Sequence, residues 1–192
     1  MPRLFTGIEI PAEQREEIAR LRQPLPGSSR WREPENLHLT LRFAGDIDNP
    51  QARELADRLA GIAVDAFEVR LTGLGAFGGN EPRSIWAGIE AGPQLEALAR
   101  ANERAARAAG LAPEGRTFKP HVTVARLKYA SAADIARILG RIGAFRGRPF
   151  TVGRFVLFSS RPKIGGGPYV VEEAFPLRGG EFANYQDVEG GW

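Results

Sequence analysis

Pro120-His121-Val122-Thr123-Val124-Ala125-Arg126 is echoed earlier in the chain by Leu37-His38-Leu39-Thr40-Leu41-Arg42-Phe43. The chain has 2 histidines, and each opens a His-apolar-Thr-apolar run. In a β-strand, residues i and i+2 share a face. His38 and Thr40 are therefore expected to point one way, with Leu37, Leu39, Leu41 and Phe43 pointing the other. His121 and Thr123 repeat the arrangement against Val122 and Val124. Strict alternation also places Arg42 on the face of His38, and Arg126 on the face opposite His121 unless the strand is irregular or ends there. Two imidazoles, each with a hydroxyl beside it on an otherwise apolar strand, suit acid–base work on a phosphate.

Outward from these runs the chain reads as strands and helices in irregular alternation. Residues 3–10 have strand character, ended by Pro11, and residues 12–21 carry a short amphipathic helix. Pro24, Pro26 and Gly27 mark a loop before a short strand at Arg30-Trp31-Arg32. Asn49 is expected to cap a helix that has Pro50 at its first position and runs to about Ala60. Residues 66–77 alternate Phe67, Val69 and Leu71 against Glu68, Arg70 and Thr72, and a turn at residues 78–82 leads into a partner strand, a hairpin by pattern. The longest helix covers residues 93–109 with Gly110 after it. Ser131 caps another, running to about Leu139, with Ile135, Ile138 and Leu139 facing inward. Residues 150–158 and 169–177 read as two long strands joined by a turn around residues 165–168.

Each His strand is preceded by a helix and a loop and followed by another helix, which implies two similar lobes. The expected fold class is α+β: bilobal, two pseudo-symmetric lobes of antiparallel sheet with helices on the outside and a central cleft. One bilobal domain is expected over residues 1–178, with a polar, Gly-rich tail at residues 179–192.

Composition bounds the function classes. With 192 residues, 43% hydrophobic and 26% charged, the chain can bury a substantial core. It has no cysteine, which excludes disulfides and thiolate metal sites. No run approaches the length of a membrane span and no signal peptide is visible, so a cytoplasmic protein without membrane partners, expected as a monomer, is the default reading. The charge is +3, and Lys occurs only at 119, 128 and 163, so Arg carries nearly all the cationic charge. Arg suits bidentate phosphate contacts, although a compositional habit explains most of these residues as well.

The pair of histidines has competing readings. Neither run has a carboxylate at metal-ligand spacing, so a metal site is weakly supported and none is expected. No strand-to-helix Ser turn suggests a Ser–His–Asp arrangement. Gly73-Leu74-Gly75-Ala76-Phe77-Gly78 matches Gly-x-Gly-x-x-Gly, but a turn follows where a dinucleotide site needs a helix. Gly165-Gly166-Gly167 reads as a hairpin loop in preference to an anion nest. Phe5, Trp31, Phe43, Phe77 and Trp86 are mostly core by pattern, with one or two available to stack on a base. Metal-free phosphodiester chemistry fits best, one imidazole taking a proton and the other giving one.

The two runs resemble the paired signature of the 2H phosphoesterase superfamily. Residues 36–45 and 118–126 are similar to those of the bacterial and archaeal RNA 2′,3′-cyclic phosphodiesterases, also called LigT-type or 2′-5′ RNA ligase-like proteins. Gly75-Ala76-Phe77, Trp86-Ala87-Gly88, Gly167-Pro168-Tyr169 and Phe175-Pro176-Leu177 support the resemblance. It implies hydrolysis of RNA or nucleotide 2′,3′-cyclic phosphate ends to 2′-phosphates, with no cofactor. By similarity His121 is the general base for water and His38 the general acid on the 3′ oxygen. Thr40 and Thr123 hold the phosphate, and Arg126 sits where the family has a ligand-contacting arginine. Arg42 is a further candidate from this sequence alone, by its expected face. The alternatives are a protein that binds RNA ends with little turnover, and the reverse reaction, 2′-5′ ligation.

Overall fold

The computed structural model describes residues 3–160 and 169–180; the turn expected around residues 165–168, and the tail from residue 181 onward, lie outside them. The strands are β1 (Arg3–Glu9), β2 (Arg30–Trp31), β3 (His38–Asp46), β4 (Phe67–Phe77), β5 (Ser84–Ala91), β6 (His121–Arg126), β7 (Phe150–Val152), β8 (Arg154–Ser160) and β9 (Tyr169–Pro176). The helices are α1 (Ala12–Arg20), α2 (Asn49–Ala60), α3 (Pro93–Ala108) and α4 (Ala132–Ile142), with a 3-10 turn at Pro34–Asn36 before the first histidine.

Local chemistry sets the helix ends. The carboxylate of Asp48 accepts from Gln51 N at 2.8 Å, so Asp48, and not Asn49, caps α2, while Pro50 supplies its fixed φ in the first turn. Ser131 Oγ accepts from Asp134 N at 3.1 Å and caps α4, as its sequence suggests. Gly110 follows α3 at φ +83°, a conformation that costs glycine little.

The strands form one sheet in the order β7-β4-β5-β6-β3-β1-β8-β9, with β2 alongside β6. Every pairing between the strands is antiparallel. The expected α+β class and the two half-sheets are present, but the halves are continuous. A single residue pair, Leu39 with Val122, joins β3 to β6 and so one half to the other.

One expected strand divides. Residues 150–158 are broken at buried Gly153, and the two pieces belong to opposite halves: β7 pairs with β4, and β8 pairs with β1 and β9. A one-residue link between strands so far apart in sheet order requires the sheet to curl until its ends meet. They do meet at that rim, where Leu177 N donates to Gly153 O at 2.8 Å and Ala66 N donates to Arg178 O at 2.8 Å.

The helices cover one face. Leu39, Leu41, Val122 and Val124 join Leu55, Leu59, Leu95, Leu98 and Ile135 in the main core. Burial of such aliphatic side chains contributes about 1.5–3 kcal/mol each against exposure. The other face carries the histidines and a small separate cluster of Phe5, Val156 and Phe158, with Tyr169 packed against it.

Candidate active site

The site starts from the register. Antiparallel pairing centred on Leu39 and Val122 sets His38 beside Thr123 and Thr40 beside His121, all four on the face away from the core leucines and valines. Each histidine thus has one hydroxyl two residues along its own strand and another across the seam.

The two imidazoles are oriented by the same device. His38 Nδ1 lies 2.9 Å from Asn36 O, and His121 Nδ1 lies 2.6 Å from Lys119 O. A carbonyl only accepts, so each Nδ1 carries the proton and each Nε2 is left for chemistry. In both cases the carbonyl belongs to the residue two before the histidine, and each bond closes locally.

Both His strands contain a β-bulge at the same motif position. In β3, Thr6 pairs with Arg42 and Gly7 with Thr40, so Leu41 is the extra residue. In β6, Ile85 pairs with Ala125 and Trp86 with Thr123, so Val124 is the extra residue. A bulge places two residues against one and shifts the alternation after it. Val124 and Ala125 are consequently both buried, and Arg126 emerges exposed on the His121 face. Strand β5 corroborates this, because its regularly alternating Ser84, Trp86 and Gly88 pair with Arg126, Thr123 and His121.

The same irregularity removes Arg42 from the site. Leu41 and Arg42 are both buried, and Phe43 is the exposed residue. The Arg42 guanidinium lies beneath the sheet, ion-paired with Glu103 of α3 and donating to Phe43 O and Ala112 O. Alternation had set it beside His38; the bulge turns it inward, where it ties β3 to α3 and the loop after it.

The surroundings of the histidines differ. His38 is ringed by Tyr169 (centroids 4.7 Å apart), Phe5 (4.9 Å) and Phe158 (5.7 Å). His121 meets Phe77 edge-on at 5.0 Å, with Trp86 beyond it. Burial among the rings pushes the His38 imidazole down to about 4; the bond to Asn36 acts against this, and the charges of Arg32 and His121 add to it. The Leu39–Val122 register sets the two rings diagonally across the β3–β6 seam, on one face of the curled sheet and so in one trough.

Arg32 and Tyr169 join the surroundings of His38, and the sequence reading did not single them out. The Arg32 guanidinium donates to Tyr169 Oη at 3.2 Å and lies 6.0 Å from the centre of that ring. Its alternation with inward-packed Trp31 was the available signal. Gly75 leaves room for Trp86: a Cβ there would lie 2.2 Å from the indole. The Gly-x-Gly-x-x-Gly run lies within β4 and the hairpin turn, with no helix after it. Among the described residues, no group of three or more His, Asp or Glu could hold a metal ion, and no helix is long and apolar enough to cross a membrane. A hollow of about 490 Å³ between α2 and α3, lined by Asp57, Arg58 and Arg104, lies away from the histidines.

Paired His-x-Thr strands in a curled antiparallel sheet define a phosphoesterase of the two-histidine class. The chain belongs to the LigT like phosphoesterase family, whose model matches residues 8–86 and again residues 89–168, one histidine in each match. It is 40% identical over 114 residues to an RNA 2′,3′-cyclic phosphodiesterase of Aeropyrum pernix, spanning 58% of this chain and 65% of that one. It is 33% identical over 155 residues to an RNA 2′,3′-cyclic phosphodiesterase of Aquifex aeolicus, spanning 78% of this chain and 82% of that one. Among solved structures, Escherichia coli LigT complexed with 3′-AMP superimposes with a TM-score of 0.76 at 28% identity, covering 92% of this chain and 98% of that one.

Proposed function

We propose that this protein hydrolyses the 2′,3′-cyclic phosphate ends of RNA to 2′-phosphates, with His38 and His121 as the acid–base pair. The relatives named above carry that activity in their names, and the seam between β3 and β6 supplies a matching arrangement. The observation that carries the reading is the Leu39–Val122 register, with no partner on either Nε2 among the described residues and two hydroxyls beside them.

In this mechanism His121 takes a proton from water as its oxygen attacks phosphorus. The bond from phosphorus to the 3′ oxygen breaks, and His38 gives its Nε2 proton to that oxygen. Thr40 and Thr123 donate to the non-bridging oxygens, whose charge grows in the transition state. Arg126 adds a cation on the same face. These groups supply proton transfer and charge stabilisation from the chain itself.

The low pKa of His38 bears on this assignment. Near neutral pH, with the trough empty, His38 is an uncharged imidazole. A phosphodiester anion seated between the rings favours the imidazolium, so His38 is charged for its acid role by the substrate. The kcat/KM profile, which reports the free protein, should have one limb near pH 4, and in kcat that limb should move upward.

The direct test follows products from RNA ending in a 2′,3′-cyclic phosphate by phosphorus NMR, in EDTA. A 2′-phosphate from the wild type, and its loss in His38→Ala and His121→Ala, is the expected result. Rates unchanged in both variants would overturn the proposal.

A further inference from the structure

Of one cross-strand row beside the site, only Arg126 has a part in the chemistry above. The row runs over four neighbouring strands: Phe77 of β4 pairs with Ser84 of β5, Ser84 with Arg126 of β6, and Arg126 with Arg30 of β2. Residues directly opposite across a ladder share a face, so Arg30 lies on the trough side with Arg126. Arg30 and Arg126 are both exposed, and neither has an ion-pair partner among the described residues. Like charges directly opposite one another destabilise a sheet, and among the described residues no carboxylate pairs with either. An anion would relieve the repulsion.

The position restricts which anion. Thr123 and Arg126 pair with Trp86 and Ser84, two residues apart on β5, so roughly 7 Å of strand separates them, and the Arg126 side chain can cover part of that distance. The row therefore lies one step along the trough from the point between the histidines. Arg32, two residues from Arg30 on the same side of β2, continues the positive charge back toward His38 through Tyr169. A track of guanidinium groups leaving the point between the histidines is what a polynucleotide backbone meets, and a mononucleotide would reach only its beginning.

Resting on the hydrolase reading, we infer that Arg30 and Arg126 form a second anion subsite, which takes the phosphodiester adjoining the terminal nucleotide of a single-stranded RNA. The subsite makes the end of a chain, in preference to a free cyclic mononucleotide, the favoured substrate. Arg30 contributes affinity there and no proton to the reaction.

The test compares adenosine 2′,3′-cyclic phosphate with a short oligoribonucleotide ending in the same group. Arg30→Ala should raise KM for the oligonucleotide at least fivefold more than for the mononucleotide, and should lower the salt dependence of oligonucleotide binding by about 0.7 in slope, the value of one phosphate contact on a single strand. Arg30→Lys should recover most of that slope. An equal rise in KM for both compounds, or no change for either, would overturn the subsite. Equilibrium binding by fluorescence anisotropy, using the oligonucleotide with a 2′-phosphate end against 2′-AMP as competitor, keeps the test independent of turnover. If wild type hydrolyses neither compound the hydrolase reading fails, while the ratio of affinities for these two ligands, wild type against Arg30→Ala, still decides the subsite.

Discussion

The strands that carry His38 and His121 share a motif, a bulge position and a carbonyl partner for Nδ1, yet they deliver opposite chemistry next to the site. After the bulge in β3 the exposed residue is Phe43, with Arg42 turned into the core; after the bulge in β6 it is Arg126, with Ala125 turned inward. His38 stands in a cage of aromatic rings, and His121 stands at a rim with Phe77. Two copies of one backbone device have thus diverged into an apolar side and a cationic side. A substrate with a flat base at one end and charged phosphates at the other matches that division.

The largest effect tests what the strands share. His38→Ala and His121→Ala should each lower kcat by roughly a hundredfold to ten-thousandfold, the usual contribution of a positioned acid or base. Single-turnover rates for both variants measure it; a loss confined to one of them would mean that the strands are not a functional pair.

The next effect tests where they differ. Arg42→Ala leaves Glu103 without its partner at a largely buried site and should cost about 2–4 kcal/mol in denaturant unfolding. A cost below 1 kcal/mol would show that the inward turn of Arg42 is not structural.

Acidification probes the aromatic cage. The unfolded chain binds a proton at His38 near 6.5, while the folded chain binds it at about 4. The unfolded state is therefore favoured as pH falls from 6.5 toward 4, on the order of 3 kcal/mol if the whole shift is expressed. Stability of wild type and His38→Gln measured across that window should converge as pH falls; parallel curves would remove the cage as the cause.

The smallest effect belongs to Arg126. Being exposed and without an ion-pair partner among the described residues, it should change stability by less than about 0.5 kcal/mol when replaced by Ala, while KM rises. A large loss of stability would mean that the two post-bulge arginines are alike after all.

The sequence made much of this legible, for an identifiable reason. Period-2 patterning needs only neighbours in the chain, so the His and Thr positions, the flanking hairpin and the helices could be read directly. Bulges depend on pairing with a distant strand, and that is where the reading of Arg42 failed. In β6 the doubled Val124-Ala125 was a visible break in alternation; in β3 the inward Arg42 disguised the same break. Gly153 is a similar case. Residues 150–158 look like one strand because both pieces are apolar, and only the closure of the sheet separates them. Arg32 and Tyr169 meet across more than a hundred residues, with no local pattern to announce the contact.

The order of strands in the sheet has a consequence for how the molecule comes into being. Apart from the two-residue β2, the half that holds His121 is built from β4 to β7, one unbroken portion of the chain. The half that holds His38 takes β1 and β3 from one end of the chain and β8 and β9 from the other. During synthesis the first histidine emerges early, but Phe158 and Tyr169, which wall it in, arrive last. The protein should therefore acquire its second motif in finished surroundings before its first, and competence should appear only when β9 docks.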